Sequence, residues 1–244
     1  VVASAGLGQK EVDFAMLVIE AGALAAVEKP TAAPKDAAKR EEFLRLLRLM
    51  ARVRVIRRNP NLLPEMTLPS PVRADLKTLP EIVVLGASAG GPGVLAQILG
   101  RLPTDFPIPI VVVQHLSADF VPGFADWLAR RCKMPIRIPV QGDVLTAGEI
   151  WIAPGGKHIS LSADGRVMLH SDKGNHRHQP SIDILFESVS NVFGARAIGI
   201  LLTGMGDDGA EGLAMLHKQG ARTIAQNEET CVVFGMPAAA IERQ

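Results

Sequence analysis

The chain has 244 residues, of which 48% are hydrophobic and 4% aromatic, with no tyrosine, so its core must consist mainly of aliphatic residues, as in parallel sheets covered by helices. The formal net charge of +1 gives no overall field that would favour nucleic acid or an acidic membrane surface. We therefore expect no nucleic-acid partner. No apolar stretch reaches the roughly 18 residues that a membrane-spanning helix needs, so we expect no membrane insertion either.

Residues 1–30 predict the end of a strand, a helix and a short strand, in the segments "VVAS", "EVDFAMLVIEAGA" and "LAAVEKP". From Pro34 to about Asn59 the chain is basic, and its apolar residues recur at the three- and four-residue spacing of an amphipathic helix. Its basic face is expected to be solvated, opposite a packed apolar stripe, although an acidic partner is an alternative. Five prolines then mark an irregular linker that ends near Pro80.

Strands and helices alternate from Pro80 onward. Strands are predicted at 82–86, 110–114, 197–203 and 222–225, and helices at 91–100, 122–131, 181–193, 209–219 and after Pro237. Strands that are separated by helices imply right-handed parallel crossovers. We therefore predict a doubly wound α/β fold, in which helices cover both faces of a mostly parallel sheet. Four short strands between residues 136 and 170 predict a hairpin or small antiparallel extension.

The turn "GASAGG", residues 86–91, follows the first of these strands and has two interpretations. A phosphate-binding loop of the Walker type needs Lys followed by Ser or Thr after its glycines, whereas Pro92 and Gly93 follow here. A dinucleotide site needs an acidic residue at the end of the second strand, which ends in Gln114 and His115. The residues that nucleotide binding requires are therefore missing.

The other interpretation of this turn is the G-x-S-x-G pattern of a serine nucleophile. A sharp strand-to-helix turn lifts the Ser88 hydroxyl clear of the sheet, and the helix N-terminus behind it supplies amides that could stabilise an oxyanion. The alternative is that Ser88 only caps the helix.

A serine nucleophile requires a histidine base and an acid at neighbouring strand ends. His115 directly follows the strand "IPIVVVQ", and Asp207 and Asp208 directly follow "AIGILLTGMG". Each has a simpler explanation, since the His115 ring could bond a carbonyl and either aspartate could cap the next helix. All three residue types at strand ends favour a Ser-His-Asp arrangement.

The remaining histidines and the cysteines carry weaker signals. His176 and His178 form an H-x-H pair, but no third metal-type ligand is close in sequence, so a role in ordering a loop or facing substrate is favoured over metal binding. The role of His158 stays open, and His170 and His217 are interpreted as structural or exposed. The two cysteines form no CxxC pair, and no signal peptide is evident, which together predict a cytoplasmic protein.

From about Pro80 to its end the chain resembles the catalytic domain of the chemotaxis protein-glutamate methylesterases. The resemblance rests on six segments in the same order: "GASAGG", "QHLSADFVPGFADWL", "IAPGGKH", "HRHQPSIDILFESV", "ILLTGMGDDGAEGL" and "AQNEETCVVFGMP". It implies a doubly wound α/β fold without cofactor or metal. It also implies hydrolysis of glutamate methyl esters on chemoreceptor cytoplasmic helices and deamidation of certain glutamines there.

By this resemblance Ser88 is the nucleophile, His115 the base and Asp208 the orienting acid, while Asp207 stands where relatives often have Asn. Met205 and the amides around Ala89 and His115 match the region assigned to oxyanion stabilisation. The cleft wall is matched by Arg177, His178 and Ser181.

The first 30 residues resemble the last part of a response-regulator receiver domain. Ser4 matches the hydroxyl residue that ends its fourth strand, and Lys29 and Pro30 match the pair after its fifth. In that family, phosphorylation of a receiver aspartate relieves blockage of the esterase cleft, and this aspartate would lie before Val1. The resemblance thus divides the chain into a partial receiver domain (1–30), a basic helix with linker (31–79) and a catalytic domain (80–244). Thirty residues cannot bury a full core, so this piece should pack on the rest of the chain or be poorly ordered.

Overall fold

A computed structural model of the chain describes residues 2–4, 9–20, 23, 26–28, 30–31, 33, 36–52, 79–171 and 178–243. The predicted linker lies almost entirely outside the described residues, and so does Arg177. None of the described helices is both long and apolar enough to cross a membrane.

The N-terminal region forms a small β-α-β unit. Strand β1 (Val2–Ser4) and strand β2 (Ala26–Glu28) pair in parallel, and helix α1 (Gln9–Glu20) connects them. This agrees with the strand, helix and strand predicted from the sequence.

The basic segment forms helix α2 (Ala37–Arg52). Within the predicted apolar stripe, Leu47 is 37% exposed and Phe43 is half-buried, so the described part of the stripe is less covered than expected. The physical reason is that no other described helix or strand packs extensively against α2.

Eight further strands follow. Their bounds are β3 (Ile82–Ala87), β4 (Ile110–Gln114), β5 (Ile136–Arg137), β6 (Ile150–Ile152), β7 (His158–Leu161), β8 (Val167–His170), β9 (Ala197–Leu201) and β10 (Arg222–Ala225). Six of them form one parallel sheet in the order β10-β9-β3-β4-β6-β5. The predicted parallel sheet is therefore confirmed.

The β-rich middle of the chain divides between two sheets. Strands β7 and β8 form the predicted antiparallel hairpin, whereas β5 and β6 extend the parallel sheet beyond β4. The sequence interpretation assigned all four strands to the extension. Short strands without an intervening helical pattern do not reveal their partners from sequence, because the connection between β5 and β6 is an irregular loop.

Five helices cover the two faces of the sheet. Helices α3 (Gly91–Leu99) and α4 (Val121–Ala129) lie on one face, and α5 (Ile182–Phe193), α6 (Ala210–Lys218) and α7 (Met236–Glu242) on the other. Alternate residues of β3 point to opposite cores: Val83 and Leu85 face α3 and α4, while Ile82 and Val84 face α5 and α6. This two-residue period buries both faces of the strand.

Helix α1 is packed onto the first of these faces. Ala15, Met16 and Ile19 are buried in the same hydrophobic cluster as residues of α3 and α4. Of the two expectations for the N-terminal piece, packing on the rest of the chain is the one that the structure supports.

The centre of the sheet has a topological switch point. After β3 the chain proceeds to β4 on one side, and only later returns as β9 on the other side of β3. In open α/β sheets, ligands bind outside the carboxyl ends of the strands at such a point. The loops that follow β3, β4 and β9 meet there.

Candidate active site

The turn after β3 presents Ser88 at this switch point. Ser88 is half-buried. Gly90 ends the turn with a φ of +79°, a left-handed backbone conformation that residues other than glycine rarely adopt. Gly90 is the N-cap of α3, and no side chain in the described part of the protein caps that helix. The alternative that Ser88 serves as a helix cap is therefore excluded.

The backbone of Ser88 is held by three hydrogen bonds. Its amide donates to the Thr203 carbonyl at 3.0 Å. Its carbonyl accepts from the Gln114 side-chain amide and from the Gly91 backbone amide, both at 2.9 Å. These bonds hold the peptide group between Ser88 and Ala89 in one orientation, independently of the serine hydroxyl.

His115 follows β4 and lies beside the Ser88 turn. The last paired residues of β3 and β4 are Ala87 and Gln114, so Ser88 and His115 are the next residues on adjacent parallel strands. The ring Nε2 of His115 lies 2.7 Å from Oδ2 of Asp208. The ring is thus bonded to a carboxylate rather than to a backbone carbonyl.

The second ring nitrogen of His115 has a different environment. Nδ1 is buried and has no hydrogen-bond partner among the described residues. An ionised carboxylate only accepts hydrogen bonds, so in the neutral imidazole Nε2 carries the proton and Nδ1 has the free lone pair. The nitrogen that is able to accept a proton is therefore the one that Asp208 does not bind.

The Asp208 carboxylate is fully hydrogen-bonded. Oδ2 accepts from His115 and from the Ile182 amide (2.8 Å), and Oδ1 accepts from the Ser181 hydroxyl (2.8 Å) and the Asp183 amide (3.1 Å). The two backbone donors belong to the N-terminus of α5, where unpaired amides favour negative charge.

These bonds decide the ionisation of Asp208. Burial opposes the charged form, but the hydrogen bond and charge of His115, with the amides of Ile182 and Asp183, outweigh it and hold the pKa of Asp208 well below its usual range. The neighbouring Asp183 behaves oppositely: burial and the nearby Asp208 charge raise its pKa, despite its hydrogen bond from Gly212. Of this pair, Asp208 has the lower pKa and is the last to be protonated as the pH falls.

Asp207 is placed differently from Asp208. Its side chain is 66% exposed, and its carboxylate lies 3.6 Å from the Arg243 guanidinium. Neither aspartate side chain caps helix α6. Of the two candidates that the sequence presented, Asp208 is the one that contacts His115.

Two of the three predicted cleft-wall residues adjoin His115 and Asp208. The rings of His178 and His115 are stacked, with centroids 4.2 Å apart and an angle of 17° between their planes. Ser181 is the N-cap of α5 and contacts Asp208 through its hydroxyl. Arg177, the third, lies outside the described residues.

The residues expected to supply an oxyanion site lie around Ser88. Ala89 and Val233 are buried in a small apolar cluster, against which Met205 packs. Within the described residues, the backbone amides of Ala89 and Met205 make no hydrogen bond. The His115 amide differs from the expectation, because it donates to the Ala87 carbonyl at 3.0 Å and so continues the strand ladder.

Two further residues, missed in the sequence, support the turn that carries Ser88. Gln114 and Thr203 are buried polar residues that lie at the ends of β4 and β9, and both bond the backbone of Ser88 or Ala89. Their position near strand ends is visible in the sequence, but it does not distinguish them from other strand-end residues.

The other histidines of the predicted site region have structural contacts. His158 is buried and its Nδ1 accepts from the Ser181 amide at 3.1 Å, next to the Asp208 network. His176 lies outside the described residues. Among the residues that the structure does describe, no group of three or more His, Cys, Asp or Glu is placed to hold a metal ion.

The fold and this site define an α/β protein in which Ser88, His115 and Asp208 follow three neighbouring strands of one parallel sheet, with His115 bonded to Asp208. The sequence model described as "CheB methylesterase" matches residues 83–244. The chain therefore belongs to the CheB methylesterase family and is a hydrolase.

Named relatives and a solved structure agree with this assignment. The chain is 41% identical to protein-glutamate methylesterase/protein-glutamine glutaminase 1 of Syntrophus aciditrophicus, over 99% of this chain and 70% of that protein. It is 39% identical to protein-glutamate methylesterase/protein-glutamine glutaminase 4 of Geobacter metallireducens, over 99% of this chain and 71% of that protein. The catalytic domain of Thermotoga maritima CheB methylesterase superposes with a TM-score of 0.63 at 37% identity, covering 68% of this chain and 89% of that one.

Proposed function

We propose that this chain hydrolyses glutamate methyl esters of chemoreceptors, and deamidates receptor glutamines, through Ser88, His115 and Asp208 and a covalent acyl-enzyme. The observation that carries the proposal is the 2.7 Å bond between His115 and Asp208, at the strand end next to Ser88. The names of the relatives support the substrate class.

The first half of the reaction forms the acyl-enzyme. Nδ1 of His115 takes the Ser88 proton as Oγ attacks the ester carbonyl carbon. Asp208 stays ionised and stabilises the imidazolium through Nε2–H. The tetrahedral intermediate then breaks its bond to the methoxy oxygen, and methanol leaves with the proton from His115.

The oxyanion of this intermediate lies near the amides of Ala89 and Met205. Both N–H groups belong to backbone that is held by other bonds and lack partners within the described residues. Donors that are fixed before reaction are worth most when negative charge develops.

The second half of the reaction releases the product. Water gives a proton to His115 and attacks the acyl carbon. The collapse breaks the bond to Ser88 Oγ, which takes the proton from His115, and the carboxylic acid product loses its own proton to solvent and becomes a glutamate carboxylate. With a glutamine side chain the leaving group is ammonia instead of methanol, and the same acyl-enzyme follows.

Regulation is proposed to come from the chain's own receiver domain. The parallel pair β1 and β2, joined by α1, is consistent with the end of such a domain in residues 1–30. Residues 31–79 then form the connecting segment, and 80–244 the catalytic domain of a cytoplasmic chemotaxis enzyme.

The test is methanol release from a methylated chemoreceptor cytoplasmic fragment. Ser88→Ala should lower turnover on the order of a millionfold, because the covalent route is lost. Ser162→Ala, in the turn between β7 and β8, is the matched control and should retain wild-type turnover. An active Ser88→Ala enzyme would contradict the nucleophile assignment, and an inactive but folded wild-type chain would favour an interaction domain.

A further inference from the structure

Thr203, the second residue after β9, has a hydroxyl that joins two separate segments. This residue is 0% exposed. Its Oγ1 lies 3.0 Å from the Ala89 carbonyl and 3.2 Å from the Val233 carbonyl, and it accepts from the amides of Val232 (3.1 Å) and Val233 (2.9 Å). The hydroxyl therefore bridges the nucleophile turn and the loop of residues 226–235.

The hydrogen-bonding capacity of this hydroxyl is fully used. A threonine hydroxyl has one proton and two lone pairs. The two amides of the 226–235 loop occupy the lone pairs. Of the two carbonyl oxygens within reach of the hydroxyl, that of Ala89 is nearer (3.0 Å) than that of Val233 (3.2 Å), so the proton is directed to Ala89. A buried group that is saturated in this way has one preferred orientation.

The backbone of Thr203 adds to the same arrangement. Its carbonyl accepts from the Ser88 amide at 3.0 Å, and its amide donates to the Gln226 side-chain oxygen at 2.7 Å. Thr203 thus contacts the backbone on both sides of the Ser88–Ala89 peptide group. The next residue, Gly204, packs so closely that a Cβ there would lie 2.8 Å from Cβ of Ser88.

We propose that Thr203 is a positioning residue for hydrolysis. Its hydroxyl holds the Ser88 turn and the Ala89 amide in their reactive orientation. The proposal rests on the function proposed above. Thr203 touches neither substrate nor the reacting atoms; it acts through the Ala89 carbonyl and the loop that closes behind it.

The test compares Thr203→Val, which keeps the shape and removes the hydroxyl, with Thr203→Ser, which keeps the hydroxyl. Thr203→Val should lower kcat on the order of a hundredfold with KM within about twofold, since displacements of about 1 Å can have that effect. Thr203→Ser should restore most of kcat. The rate of Ser88 labelling by a small fluorophosphonate should follow kcat, because it reports the attack step alone.

A stability control separates positioning from folding. Leu99→Ala removes a fully buried side chain at the end of α3 that is remote from Ser88 and should lower Tm while leaving kcat unchanged well below Tm. If Thr203→Val does not fold, Thr203→Cys replaces it as a variant of similar size with a weak hydrogen-bonding group. An equal fall of kcat in Leu99→Ala, or equal effects of the valine and serine variants, would overturn the proposal.

The outcomes also separate this inference from the proposed function. If the fluorophosphonate does not label Ser88 in the wild-type protein, the proposed function itself fails. If it labels wild type and Thr203→Val at the same rate, the nucleophile assignment stands and only the role of Thr203 is wrong.

Discussion

The carboxylate half and the hydroxyl half of the site are built in contrasting ways. Asp208 accepts four hydrogen bonds from the protein, so its orientation and charge are fixed before substrate arrives. On the other side, Nδ1 of His115 and the amides of Ala89 and Met205 have no partner within the described residues. We infer from this contrast that the carboxylate half supplies rigidity, while the hydroxyl half keeps its hydrogen-bond donors and acceptor free for the reaction.

The largest expected effect comes from removing the residue that joins the two halves. His115→Ala should lower kcat on the order of a millionfold, and Ser88→Ala combined with it should cost little more, because the two act as one unit. Steady-state methanol release measures both. Independent, multiplying losses would show that the two halves do not work together.

A smaller loss is expected when the carboxylate half loses its charge. In Asp208→Asn, an NH₂ group faces hydrogen-bond donors that point at a carboxylate oxygen in the wild type, and the variant favours the wrong histidine tautomer. We therefore expect kcat to fall on the order of ten-thousandfold while the fold is retained. Asp207→Asn is the matched control, because that neighbouring side chain is exposed and does not contact His115. Similar losses in both variants would refute the assignment of the acid.

Removing one bond to Asp208 should have a modest effect. Ser181→Ala deletes the hydroxyl that donates to Oδ1 while the other three donors remain, so kcat should fall roughly tenfold, as for one charge-assisted hydrogen bond. Ser188→Ala removes a hydroxyl from the same helix that, within the described residues, bonds Leu161 and Leu185 and does not contact Asp208. Its kcat should match wild type, and a tenfold fall there would point to a general effect of α5.

The smallest effect is expected at the ring that stacks on His115. His178→Ala should lower kcat about threefold, because the stacked contact that restrains the His115 ring is lost and such contacts are worth roughly 0.5–1.5 kcal/mol. His178→Phe keeps an aromatic plane and should recover most of this loss. Phenylalanine and alanine variants of equal kcat would show that stacking does not matter.

The fold was predictable where the sequence carries a clear period. The alternation of aliphatic strands and amphipathic helices after Pro80 gave the parallel sheet, and the rule that sites lie at strand ends singled out Ser88, His115 and two aspartates. The choice between Asp207 and Asp208 did not follow from strand position, since it depends on which side chain reaches the N-terminus of α5, about 25 residues earlier in the chain.

Other parts of the site depend on contacts that no local pattern encodes. Thr203 and Gln114 look like ordinary strand-end residues until the 226–235 loop and the Ser88 turn are placed beside them. The His115 amide, expected near the oxyanion, belongs instead to the ladder between β3 and β4. The assignment of a single amide needs the strand register, which the motif does not contain.

The most direct measurement is mass spectrometry of the protein after reaction with a fluorophosphonate. We expect one adduct, on the peptide that contains Ser88, formed rapidly in the wild type and at strongly reduced rates in His115→Ala and Asp208→Asn. An adduct on another residue, or none in a preparation that releases methanol from methylated receptor, would contradict the central claim that these three side chains act together.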